Sequence, residues 1–358
     1  MNLKRISFAI AFTLTICPLS GYTASPQAIA AAAVATPSTV SSGLPVHTAL
    51  EIAAQWKKLM QPSLDDDQPY VVVPQASGTY SPGSLKTSRI QEGVNAVNFY
   101  RFLSGLPYDI VSSSVLNTQA QYGSVLLASE GNFSHKPPKP AEMPQAFYDK
   151  GLASTSSANI YASFGYDDPI IPRSIDAYME DSDKGNLPVL GHRRWLLNPQ
   201  LQNIGIGMAE GAEDWTYSAL QVFDQSRKKK VDYNYVAYPA QGAFPTEVFA
   251  PSYAWSISLN MQKFKKPVDK NVTVYMKRLS DNKMWSLGLK NRKVTETGAY
   301  FNVENNGYGS GSALIFRPDG VKEYKAGDRY TVTVTGLQGI DGKSRIVSYN
   351  VNFVSAAK

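Results

Sequence analysis

Cysteine is almost absent: the 358-residue sequence holds one, Cys17. It falls in an apolar stretch from Ile6 to Leu19 behind Met1-Asn2-Leu3-Lys4-Arg5, which reads as the charged start and greasy core of a secretory signal peptide and is too short to span a bilayer. Cleavage is expected after Ala24, or after Ala30 in the small-x-small run Ala28-Ile29-Ala30. The bulky Ile16 ahead of Cys17 argues against lipidation. A mature chain without thiols excludes disulfides, thiolate metal sites and a cysteine nucleophile. A secreted or periplasmic chain of roughly 330 residues must then be held by its cores, and that length suffices for two.

Histidine is also scarce, with His47, His135 and His192 only. No Gly-x-Ser-x-Gly elbow and no His-Glu-x-x-His pattern occurs. Charge of one sign is not in large excess: 35 basic residues face 29 acidic, or 33 against 29 once Lys4 and Arg5 are removed. Arg227-Lys228-Lys229-Lys230 is the one basic run, and it reads as a solvated inter-domain loop rather than a nucleic-acid surface. Gly205-Ile206-Gly207-Met208-Ala209-Glu210-Gly211 departs from a dinucleotide fingerprint, its last glycine standing one residue late, and reads as a buried strand followed by a turn. No internal repeat is evident.

What is present divides the chain. Residues 1–24 form the signal, and 25–87 an extension whose Ala/Ser/Thr/Pro-rich start gives way to a short helix within 46–60, with Asp65-Asp66-Asp67 beyond it. From 88 to 224 the pattern predicts a helix beginning at a Ser88/Gln91 capping box and running to Gly105, and a second over Ser113–Ser129. A third, short helix follows around Ser174–Asp181, then strands at Asn203–Met208 and Trp215–Phe223. Beyond a boundary at 225–240, period-two runs at 255–259, 272–275, 313–316, 330–334 and 347–353 predict an immunoglobulin-like β-sandwich over 240–358. Trp255, Tyr275, Trp285 and Tyr308 are assigned to its core in preference to a carbohydrate or peptide platform.

Several motifs of the central segment follow one another in a set order. They are Asn98 and Arg101, Phe133-Ser134-His135, Ala158-Asn159-Ile160, Gly191-His192-Arg193 with Leu197-Asn198-Pro199, Ile204-Gly205-Ile206-Gly207, and Trp215 through Gln221-Val222-Phe223. In this order they resemble bacterial CAP domains (cysteine-rich secretory, antigen 5, pathogenesis-related) of the SCP-like extracellular type. With the all-β domain expected from the period-two runs, the chain reads as α+β; the resemblance itself implies a three-layer α/β/α sandwich for this segment and nothing about the C-terminal domain. It also implies a surface cleft where two histidines and two acids converge and can hold a divalent metal such as zinc. Carried across, the histidines are His135 and His192, and the acid of the third helix is Asp181, with Glu180 its neighbour. The other acid would precede Asn159, where this chain has Ala158, a loss that weakens metal affinity and removes one general base. Glu180-Asp181-Ser182-Asp183 reads equally as a solvated acidic helix end.

These residues allow a non-enzymatic cleft that binds a small ligand, lipid or peptide, with or without a divalent metal. They also allow a metal-assisted hydrolase with His192 as base, His135 beside it and Asp181 orienting the imidazole. An envelope adhesion protein, in which the β-sandwich makes the contacts, is the third class. Ser134 and His135, adjacent in the chain, are expected to point apart rather than pair.

Overall fold

A computed structural model describes residues 37–60, 68–131, 133–165 and 170–357, the Glu130 side chain excepted, so the signal segment, Cys17 and Asp65-Asp66-Asp67 lie outside it. The chain enters with strand β1 (Ser38–Val40) and helix α1 (Ala49–Leu59). Thr48 and Glu51 close a reciprocal capping box on α1, the Thr48 N–H donating to the Glu51 carboxylate at 2.7 Å. A hairpin of β2 (Tyr70–Val72) and β3 (Ser84–Leu85) leads to helix α2 (Thr87–Leu103). The expected Ser88/Gln91 box is not formed: α2 begins at Thr87 with Lys86, two residues before Ser88, at the N-cap position and no side-chain cap, and Gln91 instead bonds Asn95 along the helix.

Next come β4 (Val111–Ser112), α3 (Ser114–Glu130), α4 (Gln145–Thr155), β5 (Ala158–Phe164), α5 (Ile170–Glu180), α6 (Gly191–Leu196), β6 (Asn203–Glu210) and β7 (Trp215–Gln221). The strands form a sheet in the order β4-β6-β7-β5, antiparallel except for the β4–β6 pair. Period-two alternation in β6 sorts its two faces. Gly205 and Gly207 face α3 so closely that a Cβ on either would collide with the Leu116 or Ala120 backbone, whereas Ile206 points the other way, onto Gly93 of α2 and Ile171 of α5. These glycines serve helix–strand contact rather than a nucleotide. The free edge of β6 is closed by α3 side chains, Asn117 accepting from Ile206 N–H at 2.9 Å and Gln121 from Met208 N–H at 2.6 Å. With α3 and α4 on one face and α2 and α5 on the other, the sheet is the middle of three layers.

The second half is β8 (Tyr235–Tyr238), β9 (Gly242–Pro245), β10 (Trp255–Leu259), β11 (Thr273–Arg278), β12 (Met284–Leu287), β13 (Tyr300–Glu304), β14 (Ala313–Arg317), β15 (Arg329–Gln338) and β16 (Ser344–Val354). One sheet runs β1-β16-β15-β11-β12 with β9 also on β16, and the other β13-β14-β10-β8. Their inner faces enclose an aromatic core in which buried Trp255 donates from its indole N–H to Tyr324 Oη at 2.9 Å and packs on Tyr330 and Phe353. Trp285 is buried there too, whereas Tyr308 lies under the Arg194 guanidinium and Tyr275 is exposed. Two elements from outside 240–358 complete this sandwich: β8, within the span read as a boundary, and β1, which pairs parallel with β16. Arg227 is not a solvated member of the basic run; it is buried, donates to Leu201 O and pairs with Asp109 at 2.6 Å, while Lys228, Lys229 and Lys230 are exposed. Among the described residues no helix is long and apolar enough to cross a membrane.

Candidate functional site

Helix α3 ends on Gly131 in the left-handed conformation (φ 58°), a backbone turn for which glycine carries no Cβ penalty. The chain that follows brings His135 onto the C-terminal end of α4. The His135 Nδ1–H donates to Thr155 O at 2.7 Å, and the Thr155 and Ser156 hydroxyls donate back to His135 O at 3.0 and 3.2 Å. A carbonyl only accepts, so Nδ1 carries a proton, and in the neutral imidazole Nε2 is then the acceptor of this exposed residue. Ser134 takes no part; its Oγ accepts from Lys136 N–H in a local turn.

His192 is held on the other side. Helix α5 stops at Glu180, and Asp181 takes a left-handed conformation (φ 53°) that turns its carboxylate back under α6. The Asp181 side chain is fully buried, accepting from His192 Nδ1–H at 2.9 Å through Oδ1 and from Arg193 N–H at 3.3 Å through Oδ2. Asp181 is thus not a solvated helix end. Asn159 donates to His192 O at 3.1 Å, and the Tyr178 hydroxyl donates to Asn159 O at 3.1 Å. The Tyr178 ring, whose hydroxyl burial holds well above the usual tyrosine range, packs 5.3 Å from the His192 ring. Tyr178 and Thr155 escape sequence reasoning as parts of the site, since nothing local marks them as neighbours of either histidine, and Asn159 stands in one of the ordered motifs without a role.

The two imidazoles lie with ring centres 6.4 Å apart and planes 34° apart. Each has its Nδ1–H committed to an acceptor, which leaves Nε2 as the available nitrogen on both. Beside His135 stands the exposed Ser156, and beside His192 the Tyr178 ring; the next residue after Ser156, Ser157, donates to the buried Gln221 Oε1 at 3.3 Å. Two histidines with anchored Nδ1–H groups have the supporting contacts of metal ligands. The rest of the donor set does not follow. Ala158 is buried with no carboxylate to offer, Asp181 is engaged behind His192, and Glu180 accepts from the Ser182 hydroxyl at 2.5 Å. Among the described residues no group of three His, Cys, Asp or Glu side chains is placed to hold a metal ion. The 6.4 Å spacing also exceeds the ~5 Å expected for two imidazoles on one tetrahedral ion. The residues therefore do not fit a resident catalytic zinc.

The remaining motif residues are scaffold. Asn98 makes a reciprocal pair with the Ile110 backbone (3.1 and 2.9 Å), and buried Arg101 donates to Pro107 O, Leu196 O and Asn198 O, tying α2 to the end of α6. Trp195 stacks on Phe223 with ring centres 3.9 Å apart. A pocket of about 370 Å³ lined by Phe133, Trp215 and Tyr217 opens at the opposite end of β7 from Gln221, and neither His135 nor His192 lines it.

A three-layer α/β/α domain with two imidazoles meeting at its surface defines a class of fold and site, and a β-sandwich extends it here. Residues 94–223 match the family described as "CAP: Cysteine-rich secretory protein family", so this chain is a member of the CAP superfamily through that segment. No curated protein matches it. Among solved structures, a chain of the "Archaellum periplasmic stator protein complex FlaF and FlaG from Sulfolobus acidocaldarius" is similar at 16% identity over 27% of this chain and 74% of that one, with a TM-score of 0.19.

Proposed function

We propose that this CAP-domain protein is exported and that its His135–His192 cleft binds a peptide or another small amide-bearing ligand through hydrogen bonds to the two Nε2 atoms. The observation that supports this reading is the paired commitment of both Nδ1–H groups, to Thr155 O and to Asp181, which presents two acceptors 6.4 Å apart by ring centre. The exposed Ser156 hydroxyl beside His135 favours a peptide over a lipid acyl chain. A divalent cation enters only as a weakly held, exchangeable guest. Export rests on the signal-like start, and docking to an envelope component is left to the β-sandwich.

The test is an NMR titration of the full mature chain with N-acetylated tripeptide amides and, separately, with a lysophospholipid. The peptide arm is expected to shift both histidine rings and to do nothing in His135→Ala or His192→Ala. Lysophospholipid binding that survives both substitutions, with no peptide response, contradicts the proposal.

One observation favours a second reading, hydrolysis. The buried carboxylate behind His192 orients the ring as a general base would be oriented. Among the described residues no hydroxyl donates to Nε2 of either histidine, so water would be the nucleophile. Turnover of the same peptides, lost in His192→Ala and followed by mass spectrometry, is its signature.

A further inference from the structure

The turn that carries His192 is docked on the β-sandwich along its length. Asn302 of β13 donates to Pro188 O at 2.7 Å, the Tyr308 ring lies where a Cβ on Gly191 would meet it at 3.0 Å, and Trp195 packs on Gly309. Between these contacts stand Arg193 and Arg194, both fully buried and both bonded to backbone carbonyls. Arg194 donates from Nη2 to Asn306 O and Gly311 O, each at 2.7 Å.

Arg193 reaches in two directions. Its Nε donates to Met179 O at 2.6 Å and its Nη2 to Glu180 O at 2.8 Å, the last carbonyls of α5, which have no partner inside the helix. Its Nη1 donates to Ala254 O at 2.5 Å, with the Ser256 hydroxyl of β10 at 3.4 Å. The guanidinium lies 4.7 Å over the Tyr238 ring of β8. One planar fork thus grips the helix end from which Asp181 emerges and the wall of the sandwich together, while the Arg193 N–H holds Asp181 Oδ2.

We propose that Arg193 is a positioning residue that makes the β-sandwich part of the histidine cleft, fixing the Asp181–His192 pair from β10. Its consequence for ligand binding rests on the cleft reading, but its test reads the His192 ring and no ligand. The inference can therefore fail while peptide binding stands, and the reverse. A lysine keeps the charge but has no fork, and cannot meet acceptors on both sides at once.

The experiment is long-range 1H–15N NMR of the histidine rings in the full mature chain at neutral pH. In Arg193→Lys the Nδ1–H of His192 is expected to exchange with solvent about tenfold faster or more, with a second tautomer appearing, while His135, anchored on Thr155, keeps its signal. Arg317→Lys is the control. Arg317 is equally buried but bonds Gly298 O, Ser252 O and Thr295 O within the sandwich, so its substitution is expected to lower the melting temperature and leave His192 unchanged. Should Arg193→Lys fail to fold, Tyr238→Leu, which withdraws the ring beneath the guanidinium and the hydroxyl that donates to Val248 O but leaves the hydrogen bonds of the guanidinium in place, carries the same expectation. A folded Arg193→Lys or Tyr238→Leu whose His192 tautomer and exchange match the wild type overturns the proposal, as does an equal change in Arg317→Lys.

Discussion

Asp181 and His192 stand 11 residues apart and meet at 2.9 Å, because a left-handed residue ends α5 and sends the chain round to begin α6 against the same carboxylate. Asparagine tolerates that backbone conformation and keeps an acceptor; alanine does neither. Asp181→Asn is therefore expected to cost about 1 kcal/mol and Asp181→Ala about 3 kcal/mol, the latter leaving the Arg193 N–H and the His192 Nδ1–H unpaired. Urea unfolding of the two variants checks the order.

Arg101 does for the other end of α6 what Asp181 does for its start. Removing its guanidinium in Arg101→Met strands the carbonyls of Pro107, Leu196 and Asn198 in the core. The expected loss is about 3 kcal/mol, seen as a lower urea midpoint with little change in slope.

His47 sets a pH dependence. It is half-buried and stacks on Phe102 with ring centres 3.8 Å apart; burial lowers its pKa, and the Glu51 charge opposes this with a smaller upward pull. A folded-state value below the unfolded one, about 6.5, means that the unfolded chain takes up the proton first. This contribution to stability is complete above about pH 6.5 and is lost as the pH falls through the folded-state value. His47→Phe keeps the stack without the titration, so its urea midpoint is expected to fall less than the wild type's between about pH 7.5 and 5.5.

The strand β1 ties the N-terminal extension into the C-terminal sandwich. Besides its ladder with β16, the segment accepts from Asn234 N–H on Ser42 O at 2.6 Å and from the Asn234 side chain on Ser41 O at 2.8 Å. A chain lacking residues 38–42 is expected to lose about 3 kcal/mol and, with an edge of β16 uncovered, to form oligomers detectable by light scattering.

The parts of this fold that were legible in the sequence are those with local or ordered signals. Period-two runs marked β10, β11, β14, β15 and β16, helical spacing marked α1, α2, α3 and α5, and the order of short motifs marked the two histidines. Helix α4 was missed because it follows a proline-rich loop and starts on Pro144 without a side-chain cap to mark it. Strands β1 and β8 were missed for a different reason: a strand of three or four residues is defined by its distant partner, Val347 for Val40 and Ser256 for Tyr238, and neither partner is visible locally. The acidic run at 180–183 gave no sign of which carboxylate is buried, since that depends on the φ of Asp181. The roles of Arg193 and Arg194 were hidden because their acceptors are backbone carbonyls, which any sequence supplies.

The measurement that bears most directly on the cleft is a 15N spectrum of the histidine rings at neutral pH, recorded with and without millimolar zinc as a probe of free Nε2 lone pairs. Both His135 and His192 are expected to show a protonated Nδ1 and a bare Nε2, with zinc bound only weakly. A proton on Nε2 of either ring in place of Nδ1, or tight zinc binding that shifts both rings together, would contradict this expectation.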